Sequence, residues 1–159
     1  MWKNMKIYKA TLNDIEDLVK LRIDYLKMDL GNLSESDEKT IREQSKIYFA
    51  KHIHAGDFIA LMAKIDGKIV SAAFLAIQEK QANPSFITGI TGTLLNVITY
   101  PEYRKQGIAS KVVQRIINEA EKMGVSSIDL SSTEDGKTLY EKIGFTKPSY
   151  TSMRLKLKK

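Results

Sequence analysis

Apolar residues recur along this chain in two rhythms, every third or fourth position in some stretches and alternating or continuous in others. The first rhythm reads as amphipathic helix and the second as strand. Residues 6–10, "KIYKA", predict a short first strand. Thr11 is placed to cap the helix that follows, with Asp14 in its acidic first turn. Ile15, Leu18, Val19, Arg22 and Leu26 share one face of that helix. A second helix is expected over about residues 36–53, with Ile41, Tyr48, Phe49 and His52 on one side. Residues 57–77, "DFIALMAKIDGKIVSAAFLAI", are two apolar runs around Asp66-Gly67, which reads as a hairpin with a positive-φ turn. Asn83-Pro84 then breaks the chain.

The second half alternates. "TGTLLNVIT", residues 91–99, is a strand pattern, and a helix with a wide apolar face follows. Ile108, Ala109, Val112, Val113, Ile116, Ile117, Ala120 and Met123 make that face, and Gly124 stands where it should stop. "VSSIDLS" (125–131) reads as a strand, "KTLYEKI" (137–143) as a short helix ended by Gly144, and "SMRLKL" (152–157) as a last strand. This order predicts an α/β sandwich: a mixed sheet, helices on both faces, and the 125–131 strand parallel to the 91–99 strand. No linker, repeat or low-complexity segment interrupts it, so a single domain over 1–159 is expected.

Composition narrows the class. With 43% hydrophobic and 28% charged residues, the chain reads as folded and globular. No apolar run is long enough for a bilayer, and "MWKNMKIYK" has no apolar core of a signal peptide. There is no cysteine, which removes disulfides, thiolate metal sites and cysteine nucleophiles together. A cytoplasmic location fits, although a chain without cysteine fits any compartment. The net charge of +6 owes much to the tail "RLKLKK" and reads as a solvated basic surface. No zinc-finger spacing or RNA-stacking motif accompanies it, so no nucleic-acid partner is expected and no membrane partner either. His52 and His54 are two residues apart on a helix and point to different faces, so no metal is expected.

One stretch carries chemistry. In "YPEYRKQGIASKVVQRIINEA", residues 100–120, a charged turn containing glycine stands between strand and helix. A helix start presents unpaired N–H groups and partial positive charge, a setting that suits phosphate. Gly107 lets backbone approach such a ligand, Ala109 is nearly as small, and Arg104 and Lys105 add charge. Neither a dinucleotide fingerprint nor a P-loop is present.

The spacing Arg104-x-x-Gly107-x-Ala109 resembles the acetyl-coenzyme A signature of the GNAT superfamily of N-acetyltransferases. "NVITYPEYRKQGIA" resembles that family's fourth strand and pyrophosphate loop, "LYEKIGF" its second signature, and "ATLNDIEDLVKLR" its opening strand and helix. The resemblance implies a mixed, mostly antiparallel central sheet of six to seven strands with about four helices on both faces. It implies that the pantetheine arm runs along Val97, Ile98 and Thr99. It implies pyrophosphate on the backbone of Arg104, Lys105, Gln106, Gly107, Ile108 and Ala109, and Tyr140 as the acid that protonates the departing thiolate.

The implied reaction is acetyl transfer from acetyl-coenzyme A to a primary amine by direct attack in a ternary complex. A phenol can protonate a thiol leaving group, and backbone N–H groups can stabilise the oxyanion. For a general base, Glu79 at the end of the hairpin's second strand is the candidate, with Glu134 and Asp135 across the cleft; each also reads as a solvated carboxylate. Lys111 could meet a 3′-phosphate or simply face solvent. Tyr25, Tyr48 and Phe49 read first as core and second as pocket lining. The acidic "DLGNLSESD" (29–37) suggests a cationic acceptor, or merely a helix cap and loop. A non-catalytic coenzyme A-binding module of the same fold is the alternative, and a homodimer is consistent with the fold.

Overall fold

The computed structural model describes residues 4–158. Met1–Lys3 and Lys159 lie outside the described residues, and with them part of the stretch read for a leader and the last lysine of the basic tail. Five strands form one sheet in the order β1 (Met5–Lys9), β2 (Phe58–Ile65), β3 (Lys68–Glu79), β4 (Ile90–Thr99) and β5 (Ser127–Asp129). The first four pair antiparallel in sequence, and β5 runs parallel to β4. Among the described residues four α-helices flank the sheet: α1 (Ile15–Leu30), α2 (Glu35–Ala55), α3 (Ile108–Lys122) and α4 (Lys137–Ile143).

The helices cover both faces, which explains why β2 reads as one continuous apolar run. Ile59, Leu61, Ala63 and Ile65 point into a core built with Val112, Val113, Ile116 and Ala120 of α3. The alternate residues Phe58, Ala60 and Met62 point into a second core with Leu18, Val19 and Leu21 of α1 and Phe49 of α2. Phe49, Phe58 and Phe74 meet there with ring centroids 5.3–5.6 Å apart. Phe49 is thus core, as the default reading expected.

Local signals hold where they rest on backbone chemistry. Thr11 and Asp14 form a reciprocal capping box before α1. Asp66 and Gly67 both take positive φ in the β2–β3 turn. Gly124 and Gly144 end α3 and α4 in the left-handed region.

The strand count needs correction: five strands are present among the described residues, not six to seven. "SMRLKL" forms no strand. Met153, Leu155 and Leu157 are at least 82% exposed, and no neighbouring strand pairs with them. Alternation made that segment look like a strand, but alternation becomes a strand only where the segment pairs with an edge, and this one pairs with none among the described residues. β5 is likewise shorter than the 125–131 run, because its pairing with β4 stops at Thr93–Asp129.

Candidate active site

The site grows from the point where β5 leaves β4. Pairing covers only Thr91–Thr93 against Ser127–Asp129, so from Leu94 to Thr99 that edge of β4 has no strand beside it among the described residues. Val97, Ile98 and Thr99 lie on this open edge. Their other edge is secured to β3, with Ser71 Oγ donating to the Ile98 carbonyl at 2.8 Å and lying 2.9 Å from Thr99 Oγ1. An open strand edge is a template for one more extended chain.

β4 also carries an extra residue here. Ala72 pairs with Ile98 and Phe74 with Leu95, so two residues of β4 oppose one of β3. Asn96 sits in this bulge, 3% exposed and at φ 54°. Its amide donates to the Leu21 carbonyl (3.3 Å), and its oxygen accepts from Arg22 Nη1 (3.2 Å), which ties the bulge to α1.

Beyond Thr99 a 3-10 turn, Pro101–Tyr103, leads into the loop. Arg104 Nε donates to the Thr99 carbonyl at 2.9 Å and its Nη2 reaches Met28 Sδ, so this side chain fastens the loop to strand and helix. Lys105 takes φ 62° and Gly107 φ 79°. Gly107 caps α3 without any side-chain cap. Among the described residues no acceptor takes the N–H groups of Gly107, Ile108 or Ala109. A Cβ built on Gly107 would meet nothing within 4 Å, so the cradle is open to a ligand. Unpaired N–H groups, a helix start and an open approach fit a pyrophosphate. The adjacent strand edge fits the pantetheine amides, so the residues present suit coenzyme A.

Tyr140, on α4, closes the other side. Its ring lies edge-on to Phe145 at 5.8 Å, and a Cβ on Gly136 would stand 3.2 Å from its Cε2, so Gly136 makes room for it. Its hydroxyl has no hydrogen-bond partner in the chain among the described residues. Burial, and secondarily the nearby Tyr25, push its pKa up to about 12. Tyr25 packs with the core on the α1–α2 face and Tyr140 with the core on the α3–α4 face. Tyr140 feels the charge of Tyr25, so the two layers approach each other here.

Other candidates fall elsewhere. Glu79 ends β3 opposite Ile90, six residues along β4 from Asn96, or roughly 20 Å at strand rise. The structure therefore does not bring Glu79 to the gap. Lys111 stands in the first turn of α3. Glu134 and Asp135 are exposed before α4. His52 Nδ1 lies 2.8 Å from Asp57, and no group of residues suited to hold a metal occurs among the described residues. In the acidic 29–37 stretch, Ser34 caps α2 and Asp37 lies in its first turn, the helix-cap reading of those residues. A cleft of about 430 Å³ between α1 and the β2–β3 turn, lined by Asp17, Lys20, Lys64, Lys68 and Tyr100, lies on the opposite flank of α1 from Arg22.

Sequence reasoning missed Arg22 and Asn96 as site residues. Arg22 had a signal, a cation at an apolar-face position of α1. Asn96 had none, because a bulge depends on pairing.

A model described as the acetyltransferase (GNAT) family matches residues 19–145. A [ribosomal protein bS18]-alanine N-acetyltransferase of Escherichia coli (strain K12) is 36% identical over 56 residues, which is 33% of this chain and 38% of that protein. This chain thus spans well under half of that relative's length. The crystal structure of a predicted acetyltransferase with acetyl-CoA from Clostridium acetobutylicum superposes with a TM-score of 0.83 at 26% identity, covering 94% of this chain and 96% of the other. A GCN5-related N-acetyltransferase from Ralstonia eutropha JMP134 shares the fold with a TM-score of 0.80 at 18% identity, covering 95% and 98%.

Proposed function

The chain belongs to the acetyltransferase (GNAT) family, and from that premise we propose that it moves an acetyl group from acetyl-coenzyme A to a primary amine by direct attack in a ternary complex. Three features carry this reading together: the unpaired edge of β4, the open N–H cradle at Gly107, and a phenol at Tyr140 without a hydrogen-bond partner among the described residues.

Bound acetyl-coenzyme A supplies the thioester acyl group and a thiol leaving group. The chain's own residues do the rest. The N–H groups of the Lys105–Ala109 turn hold the pyrophosphate, helped by the positive end of α3. Arg104 keeps that turn in place by its bond to Thr99. Val97, Ile98 and Thr99 orient the arm along β4. Tyr140 is protonated at neutral pH as a phenol is, and burial holds that proton more tightly still. It can therefore donate its proton at the position where sulfur departs. Glu79 is too far along the sheet to be given the base's role, so the amine loses its surplus proton to solvent.

The test is calorimetric titration with acetyl-coenzyme A, coenzyme A and dephospho-coenzyme A, followed by a thiol-release screen of amines. Affinity on the order of micromolar, with thiol released on adding an amine, is expected. No binding at millimolar cofactor overturns the reading. Binding without release by any amine supports the non-catalytic module instead. We further propose that the chain acts as a single domain and associates as a homodimer; the exposed Met153, Leu155 and Leu157 are the observation that favours association.

A further inference from the structure

Arg22 is a half-buried guanidinium with five donors, and among the described residues it makes one hydrogen bond, to the neutral Asn96 amide oxygen. No carboxylate lies within ion-pair distance of it among the described residues. The carboxylate two residues on, Asp24, is engaged by Lys20 and the Tyr100 hydroxyl on the other flank of α1. A partly desolvated cation without a counter-charge is costly unless something else supplies one.

Its position says what that is. Arg22 is fastened to the bulge at Asn96, three residues past the last β4–β5 pair, and so stands beside the gap. Its flank of α1 continues with Tyr25, which feels the charge of Arg22 and is in turn felt by Tyr140. The α1–α2 layer faces the gap opposite the layer of α3, whose N-terminus forms the cradle. Whatever occupies the space beside Arg22 and Tyr25 therefore approaches from the side away from α3.

We propose that the acceptor amine bears an acidic group, a carboxylate or a phosphate, and that Arg22 binds it. A planar guanidinium suits either by paired N–H donors, and Asn96 holds it in one orientation. The acidic 29–37 stretch pointed toward a cationic acceptor; Arg22 at the gap favours the opposite charge. This inference rests on the acetyl-transfer reading above.

The test pairs amines that differ only in the acid: amino acids against their amides, and an aminoalkyl phosphate against the aminoalkyl alcohol. Thiol release from acetyl-coenzyme A is measured with the full chain. The acid-bearing member is expected to have the higher kcat/KM by roughly ten- to a hundredfold. Which pair shows the preference separates carboxylate from phosphate. R22Q should bring the ratio close to one, and R22K should keep part of it. A ratio near one in the unaltered protein, or one that survives R22Q, overturns the proposal. If no pair releases thiol, N-acetylated acid and N-acetylated amide are titrated into protein saturated with coenzyme A, and equal affinity overturns it. Acetyl-coenzyme A binding is measured separately for both proteins. Failure of the unaltered protein to bind sinks the acetyl-transfer reading itself, whereas R22Q that still binds shows that a lost preference is not a lost fold.

Discussion

In the proposed reaction Tyr140 is the proton donor, and its surroundings keep the proton on. A buried phenol resists ionisation because the charged form loses its hydration, and a second phenol nearby adds to the effect. An acid with its pKa pushed up to about 12 remains protonated throughout the neutral range. Turnover should therefore show no descending limb from this group until the solution nears that value. Tyr140→Phe removes the proton and keeps the ring. It should lower kcat by roughly a hundredfold and leave acetyl-coenzyme A affinity within about twofold, read by thiol release and calorimetry. Equal losses in both would mean that the ring shapes the cofactor site rather than donating a proton.

The loop before α3 and the bulge in β4 act as elements rather than as side chains. Gly107 holds φ 79° with open space where a Cβ would be. A β-branched residue there must take a left-handed conformation, which costs roughly 1–2 kcal/mol, and would project into the cradle. Gly107→Val should weaken acetyl-coenzyme A binding by at least about tenfold in calorimetry, with a smaller loss in thermal stability. At the bulge, Asn96 adopts φ 54° and bonds both Leu21 and Arg22. Asn96→Ala removes the bonds to the Leu21 carbonyl and to Arg22 and places alanine in a disfavoured region, so a loss of about 2–3 kcal/mol is expected in urea unfolding. Asn96→Gly should lose less, since glycine removes the backbone strain. Equal losses would show that the hydrogen bonds alone matter.

Across the whole molecule, several tyrosines are buried well enough to resist charging. Burial raises Tyr25, Tyr48, Tyr100 and Tyr140, with Asp24 adding to the effect at Tyr100. Each folded value lies above the unfolded one, so the folded state holds these protons more tightly. The stability this confers is complete below about pH 10 and is lost as pH rises through the folded values. Urea midpoints should therefore fall between about pH 9 and about pH 11.5, and the fall should be smaller in Tyr140→Phe. The exposed tail is the second whole-molecule feature. If Met153, Leu155 and Leu157 mediate association, a chain ending at residue 150 should sediment as a smaller species than the full chain at equal concentration. Unchanged sedimentation would remove the tail from the dimer interface.

The sequence by itself determined the local frame. The capping box at Thr11, the Asp66-Gly67 turn, the apolar face of α3 and the stops at Gly124 and Gly144 follow from backbone preferences and periodicity, which act over a few residues. The Arg104–Ala109 turn was legible for the same reason, since glycine before an amphipathic helix is a local signal. Tertiary structure alone decided what depends on distant partners. Whether "SMRLKL" becomes a strand depends on an available edge, and none receives it. The end of β5 pairing at Asp129 creates the gap, and the bulge at Asn96 appears only in register with β3. Glu79 looked near the cleft until the register set it beside Ile90. Arg22 could be read as an odd cation on an apolar face, but only packing against β4 shows that its charge faces the gap rather than a carboxylate of the chain. Short-range chemistry is written in neighbouring residues. Pairing, splay and the company of a buried charge arise only when distant segments meet.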